Sequence, residues 1–238
     1  FRPSYLQIAS LRESLRGIPV LALTASATPL VQEDIIQQLS LSKANVIKGS
    51  FARAALSYSC FEEDNKPRKL LNILQQVEGC SIVYCKSRKR TVEISKYLQE
   101  KGMSATYYHA GLDQEERHER QQLWTSNQCR IIVSTNAFGM GIDKPDVRVV
   151  VHYDIPDCLE NYYQEAGRAG RDQQKAYAVL LYGQQELDEL DMQLEKKFPS
   201  IETIRKVYQS LSNFLQIPSG SGEGNSYDFD LTLFCNNF

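Results

Sequence analysis

Two arginines, Arg168 and Arg171, stand three residues apart in the stretch QEAGRAGRD (164–172), and each follows a glycine. Two guanidinium groups offset along one helical turn can hold the oxygens of an anion from two directions, each through paired N–H donors. The glycines let the backbone, and with it the arginine heads, come close to such a group. The repeat therefore predicts a phosphate grip. A solvated basic helix end is the simpler alternative.

Five β-branched runs could form the strands that position this repeat. They are apolar on both faces, as buried parallel strands are, and stretches with apolar residues at helical spacing separate them. This alternation favours an α/β fold, a parallel sheet with helices on both faces, in which ligands bind beyond the carboxyl ends of the strands. The runs are IPVLAL (18–23), SIVY (81–84), RIIVS (130–134), VRVVVH (147–152) and AYAVLLY (176–182).

The composition excludes several classes of function. The 238 residues carry 27 Lys and Arg against 29 Asp and Glu, a formal net charge of −2, so any nucleic-acid contact must be local. The six cysteines form no CxxC pair and show no zinc spacing, so we predict no zinc and no disulfide framework. A reducing, cytoplasmic setting is the default expectation. No run is apolar for long enough to span a membrane, and we expect no membrane partner.

Three phrases together resemble the late motifs of superfamily-two helicases, and their wording is closest to the RecQ family of ATP-dependent DNA helicases. The resemblance covers nearly all of residues 1–216. DEAD-box RNA helicases have a His-Arg-Ile-Gly-Arg phrase at the arginine motif and Arg-Gly-Leu-Asp where this chain has MGID (140–143), which favours the DNA enzymes. The three phrases are TASAT (24–28), FGMGIDKPDVR (138–148) and YYQEAGRAGRD (162–172).

The resemblance implies a mechanism for the arginine repeat. In that family two RecA-like domains trap ATP with Mg²⁺ between them, and Arg168 and Arg171 would be the arginine fingers that the second domain supplies. Phosphoryl transfer depends mostly on positioning and charge stabilisation, which agrees with this role. Gln164 would orient the γ-phosphate or water, and Asp143 would lie near the ribose. A plain turn aspartate is the alternative for Asp143.

Further candidates follow the predicted strands. Helix N-termini and hydroxyls bind phosphates without reading bases, so three segments could track a single DNA strand. The resemblance gives TASAT a coupling role between the ATP site and the arginine helix. Helix capping is the alternative for each hydroxyl, and the basic run 86–90 is also typical of a solvated face. The DNA candidates are Ser87, Arg88, His109, Gly111, Thr135 and Asn136, and the coupling candidates are Thr24, Ser26 and Thr28.

Neither a GxxxxGK[ST] phosphate loop nor a DExH-type acidic motif occurs in the sequence. We therefore expect a chain that is inactive alone, cut from a longer enzyme whose N-terminal RecA-like domain is missing in cis. The predicted organisation is the tail of that first domain (1–48), a linker (49–57), a second RecA-like domain (58–183), and a helical tail (184–238) that could begin a further domain.

The leading hypothesis is part of a 3′-to-5′ DNA helicase of RecQ type, which supplies arginine fingers and single-strand contacts. Its partners would be single-stranded DNA and duplex junctions, its roles DNA repair and recombination, and its location cytoplasmic, at the nucleoid in a bacterium. Two alternatives remain. One is a nucleic-acid-binding module that kept the fold and lost ATP chemistry, and the other is an RNA helicase.

Overall fold

A computed structural model describes residues 7–14, 17–24, 27–41, 44–50, 52–139, 142–218, 220–221 and 223–237. The chain divides into two compact units, residues 1–183 and residues 184–238. Within the described ranges, no helix combines the length and the apolar character that crossing a membrane requires.

The first unit is built on a six-stranded sheet in the order β1-β6-β5-β2-β4-β3, and every neighbouring pair of strands is parallel. The sheet and its flanking helices confirm the predicted α/β fold class. The strands are β1 (Leu56–Glu62), β2 (Cys80–Tyr84), β3 (Ala105–Tyr108), β4 (Ile131–Ser134), β5 (Val147–His152) and β6 (Ala176–Tyr182).

Four helices return the chain between these strands. Three of them begin at an N-cap whose side-chain oxygen accepts a hydrogen bond from the amide three residues on, namely Asn65, Ser87 and Asp113. Such caps satisfy amides that the first turn leaves without partners. The helices are α3 (Lys66–Gln76), α4 (Arg88–Glu100), α5 (Gln114–Thr125) and α6 (Leu159–Ala166), and α1 (Ile8–Ser14) and α2 (Pro29–Gln38) precede them.

Two apolar clusters form the core, one on each face of the sheet. Successive side chains of a strand point to opposite faces, and in β2 Ile82 joins one cluster while Val83 joins the other. The cluster of Val83 includes Leu74 of α3 and residues of α4. The cluster of Ile82 includes Trp124 of α5 and Ala166 of α6. The central strands are therefore apolar on both faces because helices cover both.

The structure corrects the sequence interpretation at residues 18–23. The run IPVLAL forms no strand, and Leu21 and Leu23 are 81% and 84% exposed. A strand needs a neighbour for its backbone hydrogen bonds, and none of the described residues pairs with this run. β1 also begins at Leu56, so residues 56 and 57 of the predicted linker lie in a strand.

The second unit is helical, with α7 (Gln184–Lys197), α8 (Ile201–Phe214) and α9 (Leu231–Asn237). These helices lie in the predicted helical tail, and the Ser200 hydroxyl accepts a hydrogen bond from the first turn of α8. Phe214 at the end of α8 meets the rings of Phe229 and Phe234 edge-on, with centroids 6.2 and 5.5 Å away.

Candidate functional site

The arginine repeat begins where α6 ends. The helix stops at Ala166, and the amides of Arg168 and Ala169 each donate to a carbonyl three residues back, so the arginines lie in tight turns rather than on the helix. Gly170 then adopts a φ of +63°, and its amide donates to Val147 O at the start of β5. A Cβ on Gly170 would lie 2.9 Å from Gln174 O. This glycine is required by the turn itself rather than by approach to a ligand.

Arg168 folds back against the loop that follows β4. Its Nη1 donates to Gly139 O at 2.6 Å, while its buried Nε has no acceptor among the described residues. Gly139 has a φ of +132°, and a Cβ there would lie 2.2 Å from Arg168 Cζ, so only glycine leaves room for the guanidinium. Burial raises the pKa of the nearby Tyr84 phenol, and the Arg168 charge opposes that shift.

Arg171 points to a second place in the same loop. Its Nη1 donates to Ile142 O at 3.0 Å and to Asp143 Oδ1 at 2.7 Å. The Asp143 side chain is 86% exposed, so water screens this ion pair. The structure thus brings together a predicted finger and the residue predicted to lie near the ribose. Gln164 is exposed on the last turn of α6.

A buried histidine–carboxylate pair beside the repeat escaped the sequence analysis. His152 Nε2 at the end of β5 lies 3.0 Å from Glu165 Oε2 on α6, and the imidazole is fully buried. The His152 ring packs on the rings of Tyr84 and Tyr162. The available signal was a histidine closing an apolar strand, since a buried imidazole requires a polar partner. The pair ties α6, and so the start of the repeat, to the sheet.

The three segments predicted to contact DNA lie side by side. β2 and β3 both pair with β4, and Tyr84 and Tyr108 are each in register with Ser134. The segments that begin at residues 85, 109 and 135 therefore leave the sheet at adjacent points of one edge, which we name the carboxyl edge. Tyr84 is also in register with His152, so the chain that leads to α6 leaves at this edge too.

Two of these segments touch one another. The guanidinium of Arg88, in the first turn of α4, lies over Gly111, where a Cβ would come within 2.8 Å of Nη1. Arg88 is exposed. The His109 ring stacks on Tyr107 with centroids 5.7 Å apart, and its Nδ1 is buried without a partner among the described residues. Arg88, His109 and Gly111 thus form one local surface.

The remaining DNA candidates also have structural contacts. Ser87 Oγ accepts from the Arg90 amide at 3.1 Å, which is the helix-capping alternative. Thr135 is buried and its Oγ1 accepts from the Ala137 amide at 3.4 Å. Asn136 is exposed and lines a cavity of about 70 Å³ that also reaches His152. Of the two residues after β4, Asn136 is the one whose side chain a ligand could reach.

The basic run at residues 86–90 is partly structural. Arg90 Nη1 is ion-paired with Asp154, whose carboxylate is 2% exposed, and the Lys86 amide donates to the same carboxylate at 2.8 Å. Lys89 pairs with Glu93 on the surface of α4. Asp154 thereby joins the segment after β5 to the start of α4, which leaves Arg88 as the arginine of this run that faces the neighbouring DNA-candidate segment.

The coupling candidates lie on the first part of the chain. Thr28 is the N-cap of α2, and its Oγ1 accepts from the Val31 amide at 3.4 Å, in agreement with the capping alternative. Thr24 is exposed and lines a cavity together with residues from the ranges 18–23, 27–41 and 44–50. Ser26 lies outside the described residues.

Comparison with known proteins supports the family that the motifs resemble. Residues 65–173 match the family described as helicase conserved C-terminal domain. The chain is 38% identical over 224 residues to the RecQ-like DNA helicase blm-1 of Caenorhabditis elegans, which is 91% of this chain and 22% of that protein. It is 42% identical over 183 residues to the ATP-dependent DNA helicase RecQ of Pasteurella multocida, 76% of this chain and 29% of that protein.

The fold also matches that of a solved structure. A structure of Saccharomyces cerevisiae Dbp5 bound to RNA and ADP BeF3 aligns with a TM-score of 0.63 over 82% of this chain and 53% of that chain, at 20% identity, and so shares the fold. The chain spans less than a third of the length of the two curated relatives. The chain therefore contains a helicase C-terminal domain and is related over most of its length to the DNA helicases of the RecQ family.

Proposed function

We propose that the full-length protein is an ATP-dependent DNA helicase and that this chain supplies its arginine fingers, Arg168 and Arg171. The observation that carries the proposal is the turn after α6, which directs both guanidinium groups at the loop between β4 and β5. There they bind the carbonyls of Gly139 and Ile142 and the exposed carboxylate of Asp143. Phosphate oxygens are acceptors of the same kind and carry more charge.

The donors of this site fit an anionic partner. Arg171 is 35% exposed and is held by a screened surface ion pair, which contributes about 1 kcal/mol or less, so a polyphosphate can compete for it. Arg168 leaves its Nε without an acceptor among the described residues, and an unsatisfied buried donor costs about 1–3 kcal/mol. Arg168 would therefore be stabilised if its Nε could donate a hydrogen bond to a phosphate oxygen.

ATP with Mg²⁺ would supply the phosphoryl group and its neutralising cation. In this proposal the chain contributes charge and orientation: the two arginines stabilise negative charge on the phosphate oxygens, and exposed Gln164 orients a neighbouring oxygen by hydrogen bonding. Such fingers act mainly in the transition state. Supplying them from a domain other than the one that holds the nucleotide makes turnover depend on domain closure.

The DNA-binding part of the proposal rests on the carboxyl edge. Arg88, His109 and Asn136 come from three segments that leave adjacent strands, so together they offer a row of donors rather than one isolated charge. A row of this kind suits a sugar-phosphate backbone and leaves the bases unread. The 3′-to-5′ polarity of unwinding is proposed from the family resemblance.

The test measures ATP hydrolysis by the full-length protein with and without single-stranded DNA. Arg171→Ala should lower the DNA-stimulated kcat by about 10³-fold or more, because an arginine finger contributes that much to phosphoryl transfer. Arg205→Ala, which removes an exposed arginine of α8, is the matched control and should retain turnover. Normal turnover by Arg171→Ala would contradict the finger role, and stronger stimulation by RNA than by DNA would identify an RNA helicase.

A second candidate is a nucleic-acid-binding module without ATP chemistry. The observation in its favour is that the 238 residues include neither a phosphate loop nor an acidic DExH motif. Salt-sensitive binding of single strands by a full-length protein that hydrolyses no ATP would establish it, whereas binding that tightens with ATP would exclude it.

A further inference from the structure

Arg53 reaches the arginine repeat from a distant part of the sequence. Its Nη1 donates to Gly167 O at 2.6 Å and its Nη2 to Gly170 O at 2.5 Å, across 114 and 117 residues of chain. The residue is half-buried and precedes β1, in the segment 49–57. A single guanidinium therefore joins the two glycines that precede Arg168 and Arg171.

The two acceptors explain why an arginine suits this position. A helix leaves its last carbonyls without partners, and a cation there also meets the negative end of the helix dipole. The planar fork of arginine directs parallel donors at two acceptors, whereas the ammonium of lysine is a single point of charge. The repeat GRAGR presents carbonyls three residues apart, and Arg53 donates to one with each of its terminal nitrogens. Gly167 O is at the helix end, whereas Gly170 O lies in the following turn and also accepts from the Gln173 amide at 3.1 Å.

The position of these carbonyls bears directly on the proposed fingers. Each belongs to the peptide plane that contains the amide nitrogen of the next residue, and such a plane is rigid. Fixing Gly167 O and Gly170 O therefore fixes the planes that hold the amide nitrogens and Cα atoms of Arg168 and Arg171, and so limits where their side chains leave the backbone. The amide of Gly170 is bound to Val147 O on the other side of the same turn.

Arg53 is itself anchored to the sheet. Its carbonyl accepts from the amide of Leu56, and the neighbouring Ala55 carbonyl accepts from the amide of Ala176 in β6 at 2.8 Å. Leu56 is buried in the core. On its other side, the segment continues to the exposed residues 44–50. The guanidinium thus connects the arginine repeat to the point where the preceding chain enters the sheet.

We propose that Arg53 is a positioning residue for Arg168 and Arg171. This inference rests on the proposed finger role and deepens it. Arg53 holds the GRAGR turn in one conformation, so the two guanidinium groups reach a phosphate together. Because its own backbone lies where the first part of the chain joins the sheet, a shift of that segment changes the orientation of the arginines. Domain movement and finger position are thereby linked through one side chain.

The test compares Arg53→Ala with Arg130→Ala in the full-length protein. Arg130 is a matched control, since its Nη2 donates at 2.5 Å to the carbonyls of Leu74 and Val77 at the end of α3, far in sequence from the repeat. Both variants lose carbonyl contacts at a helix end. Arg53→Ala should lower kcat for DNA-stimulated ATP hydrolysis by about tenfold to 100-fold, the loss that small misplacement of a catalytic group causes. The KM for ATP should change by less than about twofold, because the fingers act mainly in the transition state.

Two further measurements distinguish positioning from a general loss of stability. Arg53→Ala should add little to the defect of Arg171→Ala, because residues that act through one another are not additive. Amide hydrogen exchange across residues 167–173 should quicken in Arg53→Ala and stay unchanged in Arg130→Ala. Equal kcat losses in the two variants, or unchanged exchange in this segment, would overturn the inference. A wild-type protein without ATP hydrolysis would overturn the finger role, and the exchange measurement would still decide whether Arg53 holds the turn.

Discussion

At the scale of single residues, the site depends on glycines that make room for arginines. Arg168 occupies the space where any other residue at position 139 would place its Cβ. The motif FGMGID and the motif GRAGR are therefore parts of one contact, although about 29 residues separate them. This explains why both phrases occur in one chain without requiring that each bind a ligand separately.

Gly139→Ala tests that contact. The new Cβ would lie 2.2 Å from Arg168 Cζ at a φ of +132°, so the variant must both strain the backbone and displace the guanidinium. We expect the free energy of unfolding to fall by about 1–3 kcal/mol and the DNA-stimulated kcat of the full-length protein to fall by at least about tenfold. Urea unfolding and ATP hydrolysis measure the two effects.

Gly102→Ala separates strain from displacement. Gly102 also has a positive φ, of +78°, but a Cβ there meets nothing within 4 Å. It should lower the free energy of unfolding and leave turnover of the folded protein intact. If Gly102→Ala and Gly139→Ala lose turnover equally, Arg168 does not depend on the space that Gly139 leaves.

At the scale of elements, the sequence predicted the central strands and missed the edges. β2, β4, β5 and β6 were found because both faces of each are covered and their residues are accordingly apolar. β1 and β3 were missed: β1 is mostly exposed and alternates polar residues, and β3 has only four residues. The run 18–23 was wrongly predicted as a strand for the opposite reason, since apolar content alone does not supply a pairing neighbour.

The candidate site, like the fold, was predicted only in part from the sequence. The arginine repeat and the segments after the strands were predictable, because spacing and position in the alternation of strands and helices are local properties. Arg53 and the pair of His152 with Glu165 were not, because each acts through a partner that only the fold brings near. A histidine that closes an apolar strand indicates that a polar partner exists but not which residue it is, and an arginine in a linker gives no local sign of its acceptors.

The reactivity of the cysteines reports on the burial of the central strands. Burial raises the pKa of the Cys80 thiol, at the start of β2, to about 12, against about 8.5 for a free cysteine. It also raises the pKa of Cys85, which follows β2. Because the thiolate is the reactive form, these thiols should resist modification at pH 8. The exposed cysteines are Cys60, Cys158 and Cys235, and the buried ones are Cys80, Cys85 and Cys129.

We therefore expect three thiols to react quickly with a chromogenic disulfide in the native chain and three more only after denaturation. Raising the pH from 7 to 9 should leave Cys80 protonated and slow, because burial raises its pKa to about 12. Mass spectrometry of the labelled peptides identifies the sites. Rapid native labelling of Cys80 would show that β2 is not buried as described.

At the scale of the whole molecule, the loop between β4 and β5 links the two proposed activities. In the proposed function, the repeat after α6 provides arginines for a polyphosphate, and the segments after β2, β3 and β4 provide donors for a DNA backbone. The segment after β4 carries Asn136 near its start and, further on, the carbonyls that bind Arg168 and Arg171, so a displacement of this segment would alter both proposed sites. The net charge of −2 means that such binding must come from this local row of donors and not from the field of the whole chain.

The salt dependence of DNA binding shows whether DNA binds the local row of donors at the carboxyl edge or the diffuse electrostatic field of the whole chain. Arg88→Ala should weaken binding of single-stranded DNA by the full-length protein to a similar extent for all sequences. It should also reduce the slope of log affinity against log salt by about 1, as loss of one phosphate contact does.

The matched control is Lys101→Ala. Lys101 is an exposed cation at the other end of α4, about 20 Å from Arg88 along the helix. Fluorescence anisotropy of a labelled oligonucleotide between 50 and 200 mM salt, roughly the range over which such contacts are screened, measures both. An equal loss of DNA affinity in the two variants would indicate a diffuse field and contradict binding of the DNA backbone at the carboxyl edge. A loss of affinity in Arg88→Ala alone would locate the DNA beside Gly111, where the Arg88 guanidinium already lies.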